Sequence, residues 1–236
     1  MRQRGTAFRR VMLAVALTAC AAPAAAAGTS IEGTVTIFEK QGKPKARDDG
    51  VVVFLDELEH PESPKPPEAH AVLRQSHKQF TPEVLPVVVG TTVEFPNEDT
   101  VFHNVFSLSR VKPFDLGLYA QGESRSVTFD QPGLVKVYCN IHPQMVASIL
   151  VLANPHFAVT DAQGRFVISG VPLGKAKVRS WYARSRSSQE REVVVTPEGI
   201  KDLNLTILEN LRFEIQEETV SVEHKNKLGQ DYPKRY

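Results

Sequence analysis

The sequence predicts an all-β protein. From Ile31 onward, short runs of strand-forming residues alternate apolar with polar side chains, Gly and Pro punctuate the runs, and helical periodicity is nowhere sustained. The spacing of the runs predicts more than one sheet, and the chain is long enough for two domains or one large β unit.

Residues 1–27 read as an address. Arg2, Arg4, Arg9 and Arg10 precede Val11 to Ala19, an apolar stretch too short to span a bilayer, which is the pattern of a signal peptide. Two cleavage readings stay open. Leu17 to Cys20 form a lipobox-like string that would leave Cys20 lipidated and the protein tethered to a membrane, whereas Pro23 and Ala24 to Ala27 suit a cut before Gly28. Losing four arginines and no acid takes the formal charge from +1 to −3, which argues against nucleic-acid binding. No later run of about twenty apolar residues appears, so a periplasmic, water-soluble chain is expected.

Ile31, Gly33, Val35 and Ile37 alternate with polar residues, Gln41 to Pro44 form a turn, and Val51 to Leu55 are dense in strand formers. Residues 59–69 are proline-rich and read as a linker. Strands are then expected at Ala71 to Arg74, Leu85 to Val89, Thr92 to Phe95 and His103 to Leu108. Val111 to Gln121 reads as a long irregular segment that packs Phe114 and Leu116 inward. Ser126 to Phe129, Leu134 to Tyr138 and Met145 to Leu152 complete this part. Beyond Asn154, strands at Phe157 to Thr160, Arg165 to Ser169, Lys177 to Tyr182, Glu192 to Val195 and Lys201 to Ile207 are separated by Gly and Pro turns, the rhythm of a β-sandwich. Leu211, Phe213 and Ile215 alternate once more, and the charged end from Lys225 to Tyr236 reads as loose.

The string YCNIHPQM, Tyr138 to Met145, places a thiol, an imidazole and a thioether at three-residue steps. Cys139, His142 and Met145 can therefore aim at one point from a short loop, and His103, at the head of an upstream strand, offers a second imidazole. Two His, one Cys and one weak Met form the donor set of a mononuclear blue-copper centre. Asn104 and Asn140 flank two of these residues and are placed to bond loop backbone or the sulfur. Pro143 stiffens the loop by fixing φ. Taken alone, C-x-x-H-x-x-M also suits a small buried cysteine beside a structural histidine. His60, His70, His77, His156 and His224 lack a neighbouring sulfur and read as surface or structural residues. Phe102 and Pro143 read either as core or as an apolar docking patch. No paired nucleophile and base is apparent, so an enzyme is not expected.

From about His70 to Leu152 the chain resembles the cupredoxins, amicyanin and plastocyanin-like copper proteins above all. FTPEVLPVVVGTTVEFPNEDTVFHNV and YCNIHPQM carry the likeness. The resemblance implies a Greek-key sandwich and one type 1 copper ion held by His103, Cys139, His142 and Met145. Phe95 stands where many relatives have Trp, and the FDLGLY segment resembles plastocyanin-like or methylamine-utilisation proteins. TDAQGRFVISGVPLGKAKVRSWY resembles the carboxypeptidase regulatory-like, transthyretin-like sandwich, whose usual opening strands lie here ahead of the copper module. The expected organisation is a signal peptide at 1–27, a discontinuous sandwich from 29–58 and 154–208, a linker at 59–69, a cupredoxin at 70–152 and a C-terminal extension at 209–236. In the alternative, Ile31 to Leu55 join the cupredoxin sheet. The implied function is a periplasmic carrier of single electrons that meets a redox partner protein. A copper-delivery protein, or a scaffold with a vestigial site, are the competing readings.

Overall fold

The computed structural model describes residues 29–39, 41–47, 49–61, 68–185 and 189–209. The expected signal segment with Cys20, the prolines at 64, 66 and 67, His224, the alternation at Leu211, Phe213 and Ile215 and the charged C-terminal end lie outside the described residues. The fold is all-β. β1 (Ser30–Phe38) and β2 (Val52–Asp56) open the chain, and β1 buries Ile31, Val35 and Ile37 on one face as its alternation requires.

A central module follows. It comprises β3 (Ala71–Val72), β4 (Arg74–Ser76), β5 (Gln79–Thr81), β6 (Val84–Val88), β7 (Thr91–Pro96), β8 (His103–Ser107), β9 (Phe114–Tyr119), β10 (Ser124–Phe129), β11 (Gly133–Tyr138) and β12 (Val146–Leu152). One sheet has the order β10-β7-β3 and the other β6-β12-β11-β8-β9, with the β4-β5 hairpin beside them. Val93, Phe95 and Phe129 of the first sheet share a buried cluster with Val105, Val135, Val137, Ala147 and Ile149 of the second.

The chain ends its described course with β13 (Phe157–Val159), β14 (Arg165–Ser169), β15 (Gly174–Trp181), β16 (Gln189–Val195) and β17 (Ile200–Leu208). β1 lies between β14 and β17, and β2 lies between β13 and β15. The strands before the central module thus complete two sheets with strands after it, around a core of Ile31, Val53, Leu55, Phe166, Val178 and Leu205 among others. Asn154 Nδ2 donates to the carbonyl of Leu55 at 2.8 Å, and the Leu55 amide donates to the His156 carbonyl at 3.0 Å. The entry and exit of the central module are therefore tied at one point. In β1, Gly33 sits where the Leu203 carbonyl of β17 approaches so closely that an added Cβ would lie 2.0 Å from its oxygen.

β12 is apolar on both faces because both faces are covered. Ala147, Ile149 and Val151 point into the central core, while Leu150 and Leu152 meet Val52, Phe54, Phe157 and Trp181 of the outer sandwich.

One expected loop is a strand. The segment from Val111 to Gln121 contains β9, which pairs antiparallel with β8. Its alternation is hidden because Leu116 and Gly117 together oppose the single Val105, a bulge that Gly117 enters at φ 67°. Phe114 and Leu116 do pack against the central core. The expected strand Ala71 to Arg74 is split, its second half turning into the β4-β5 hairpin.

Candidate metal centre

β8 and β11 are neighbours, with Tyr138 opposite Phe106, and β11 pairs with β12. His103 opens β8, while Cys139 to Met145 form the connection between β11 and β12. That connection closes on itself, since the Met145 amide donates to the His142 carbonyl at 2.9 Å and the Cys139 amide donates to the Met145 carbonyl at 3.3 Å. Loop residues are thus fixed by a rigid sheet at both ends.

The structure brings His103, Cys139 and His142 together. The two Nδ1 atoms are 3.0 Å apart, and the Cys139 sulfur lies 3.8 Å from that of His103 and 3.9 Å from that of His142. The imidazole rings stand edge to face at 64°. Cys139 and His103 are buried and His142 is half-buried. Burial pulls the basicity of His142 below the ordinary histidine value, and His103 and Lys78 add to that while Asp99 opposes it. Met145 is fully buried in the same core cluster as Cys139.

Around these residues the polar groups are largely committed. Asn104 donates to Asp115 at 2.7 Å and accepts the Asn140 amide at 3.3 Å, while Asn140 Nδ2 is buried with no hydrogen-bond partner among the described residues. Phe102 is 59% exposed, and Ile141 and Pro143 are exposed as well, so the core reading of Phe102 and Pro143 is excluded. Of the other histidines, His70 is exposed and lies 2.7 Å from Glu94, His60 and His77 are exposed, and His156 is buried in the outer sandwich.

Two contributors escaped the sequence reading. Asp99 Oδ2 lies 2.7 Å from His103 Nε2, on the far side of the ring from the sulfur. The only linear hint is an acid four residues ahead of a histidine. Behind His103, Tyr119 pairs with it across β8 and β9, donates to the Phe95 carbonyl at 2.8 Å and receives Gln75 Nε2 at 2.6 Å. Burial pushes the Tyr119 phenol well above its usual pKa, so it remains a neutral donor.

The donors fit a metal ion. With bonds of about 2.0–2.3 Å to nitrogen and sulfur, two ligand atoms on one ion lie at most about 4.3 Å apart, and all three separations fall inside that limit. One thiolate and two imidazoles are the ligand types that suit copper.

Comparison with solved structures gives partial matches. A copper-containing nitrite reductase from Thermus scotoductus SA-01 is 32% identical, with 36% of this chain and 22% of that one covered and a TM-score of 0.34. This chain therefore spans about a fifth of that relative's length. A purple cupredoxin from Nitrosopumilus maritimus is 26% identical over 35% of this chain and 99% of its own, with a TM-score of 0.32. Amicyanin from Paracoccus versutus is 20% identical over 36% of this chain and 84% of its own, with a TM-score of 0.34. Among curated proteins no match is found. Residues 68–152, the segment that contains every candidate donor, match the family of copper binding proteins of the plastocyanin/azurin type.

Proposed function

We propose that this protein is an exported type 1 copper protein that carries single electrons between redox partners in the periplasm. The observation that carries the reading is the convergence of two imidazole nitrogens and one sulfur within 3.9 Å of one another, on strand ends that hold them rigidly. Copper held by His103, Cys139 and His142, with Met145 as the weak fourth donor, would supply a one-electron couple. The chain's own part is to keep that donor set fixed in either redox state. His103 and Cys139 are sealed in the core, and the Asn104 bridge holds the two ligand-bearing segments in register.

His142 is the donor at the surface, and Phe102, Ile141 and Pro143 form an exposed apolar rim on the same two segments. That arrangement favours a partner that docks there and exchanges electrons through the half-buried imidazole. The outer sandwich, read as a carboxypeptidase regulatory-like domain built from 29–58 and 154–208, positions the copper module against partners. Residues 1–27 direct export, and lipidation at Cys20 would add a membrane tether. With Met145 completing the donor set, the reading is a carrier and not an enzyme.

Cu(II) added to the mature protein should produce an intense visible band from thiolate-to-copper charge transfer, the blue colour of such sites. Cys139→Ser should abolish it. Reversible reduction with the metal retained supports the carrier, and release of copper on reduction would favour delivery instead. A wild-type protein that stays colourless with Cu(II) and takes up only zinc sinks the proposal.

A further inference from the structure

Asp99 does three things at once. Its Oδ1 accepts the His77 amide at 2.6 Å, its Oδ2 accepts the Lys78 amide at 2.8 Å, and the same Oδ2 faces His103 Nε2 at 2.7 Å. The carboxylate is itself set by its own amide, which donates to Asn97 Oδ1 at 3.0 Å. Its side chain is only 15% exposed.

An ionised carboxylate accepts and cannot donate, so the proton between Asp99 and His103 sits on Nε2. In the neutral ring that leaves Nδ1 with a free lone pair, and Nδ1 is the atom that faces Cys139 and His142. Without Asp99, a fully buried Nε2–H would have no acceptor in its place, and the ring would gain by moving its proton to Nδ1, where His142 Nδ1 waits at 3.0 Å. A protonated Nδ1 cannot bind a metal.

The other two bonds serve the hairpin. His77 and Lys78 form the two-residue turn between β4 and β5, with φ of 55° and 54°. That conformation favours Gly, Asn or Asp, and Lys78 in particular does not suit it. Asp99 holds both amides of the turn in place, so the same side chain stabilises an unfavourable turn and sets a ligand's tautomer.

We infer that Asp99 is a positioning residue which fixes the Nε2–H tautomer of His103 and turns its Nδ1 lone pair to the metal, with the same carboxylate that holds the β4-β5 turn. The inference rests on the copper reading only for its metal-binding consequence. The tautomer itself is a property of the metal-free protein.

The test uses the mature full-length protein, wild type and Asp99→Ala, and a His77→Gly/Lys78→Gly background in which the turn no longer needs the clamp. Asp99→Asn, which keeps the shape and one acceptor, guards against a loop that fails to fold. Nitrogen-15 NMR of the metal-free wild type should show His103 protonated at Nε2. Asp99→Ala should move that proton to Nδ1, in both backgrounds, and weaken Cu(II) binding by roughly 10–100-fold. Asp99→Asn should fall between. The glycine pair alone should leave tautomer and affinity as in the wild type. If Asp99→Ala retains the Nε2–H signal and wild-type copper affinity, the inference fails. If the tautomer moves as expected while the wild type takes up no Cu(II), the positioning role stands and the copper reading falls.

Discussion

The side-chain carbonyl of Asn104 accepts the backbone amide of Asn140 across 36 residues of sequence, at 3.3 Å. Each asparagine follows a candidate donor directly, so this one bond sets the spacing of His103 and Cys139. Asn104 is fully buried, and its amide also donates to Asp115. Asn104→Ala should cost about 1–3 kcal/mol of stability, because it strands the Asn140 amide and removes one donor from Asp115. Denaturant titration of the metal-free protein measures the loss. The copper-loaded variant should in addition show a shifted or broadened charge-transfer band, which an unrelated loss of stability would not produce.

Leu150 lies on the face of β12 that meets the outer sandwich, where it is 7% exposed against Val52 and the partly buried Trp181. Leu150→Ala should destabilise the protein by about 2–4 kcal/mol. Trp181 is the single tryptophan, so its fluorescence should shift to the red as the seam loosens. The candidate metal site lies on the other side of that sheet, and the visible spectrum of the copper-loaded protein should stay unchanged. A spectrum altered as much as the fluorescence would show that the seam supports the site directly.

Lys45, in the connection from β1 to β2, bonds Glu209 at 2.8 Å and the Tyr182 hydroxyl at 2.9 Å. Burial alone would lower the lysine pKa, but the bonds to Glu209 and Tyr182 outweigh it and raise the pKa above 10.5. A raised folded-state value stabilises the protein fully below pH 10.5 and the contribution is lost as pH climbs through the folded pKa. Unfolding midpoints taken from pH 9 upward, compared with those of Lys45→Met, should show a fall specific to the wild type. At neutral pH, Lys45→Met should cost about 2–3 kcal/mol by leaving the Glu209 carboxylate, with 4% of its side chain exposed, without its cation. Replacing both residues by apolar ones should recover most of it.

Gly33 has no room for a side chain, and the obstacle is the Leu203 backbone, which cannot swing aside. Gly33→Ala should therefore destabilise the outer sandwich by about 1–3 kcal/mol through forced separation of β1 and β17. Hydrogen exchange should localise the loss to those two strands. Protection confined to wild-type values there would refute the assignment.

Much of this was legible in the sequence, for identifiable reasons. Alternation at Ile31, Val35 and Ile37 marks β1, and the three-residue steps of Cys139, His142 and Met145 point to a convergent loop. What stayed hidden depended on partners distant in the chain. β9 was masked because its bulge at Gly117 breaks the period of two, and only β8 alongside reveals it. The β4-β5 turn uses His77 and Lys78, neither of which is a turn signal, and its stabiliser, Asp99, is 22 residues from His77. Asp99 looks in sequence like any loop acid, and its role appears only when three donors surround it.

β2 and β13 pair antiparallel, and Leu55 meets Asn154 although 99 positions separate them. Topologically the whole central module is the loop of one hairpin. Closing a loop of that length with an unfolded chain costs about 2.5 kcal/mol more than closing one of a few residues. The bond from Asn154 to the Leu55 carbonyl holds the two flanks of the module together across that span. Among the described residues β1 and β2 find their strand partners only beyond residue 152, so the outer sandwich is assembled from two pieces that the inserted module both separates and must bring together.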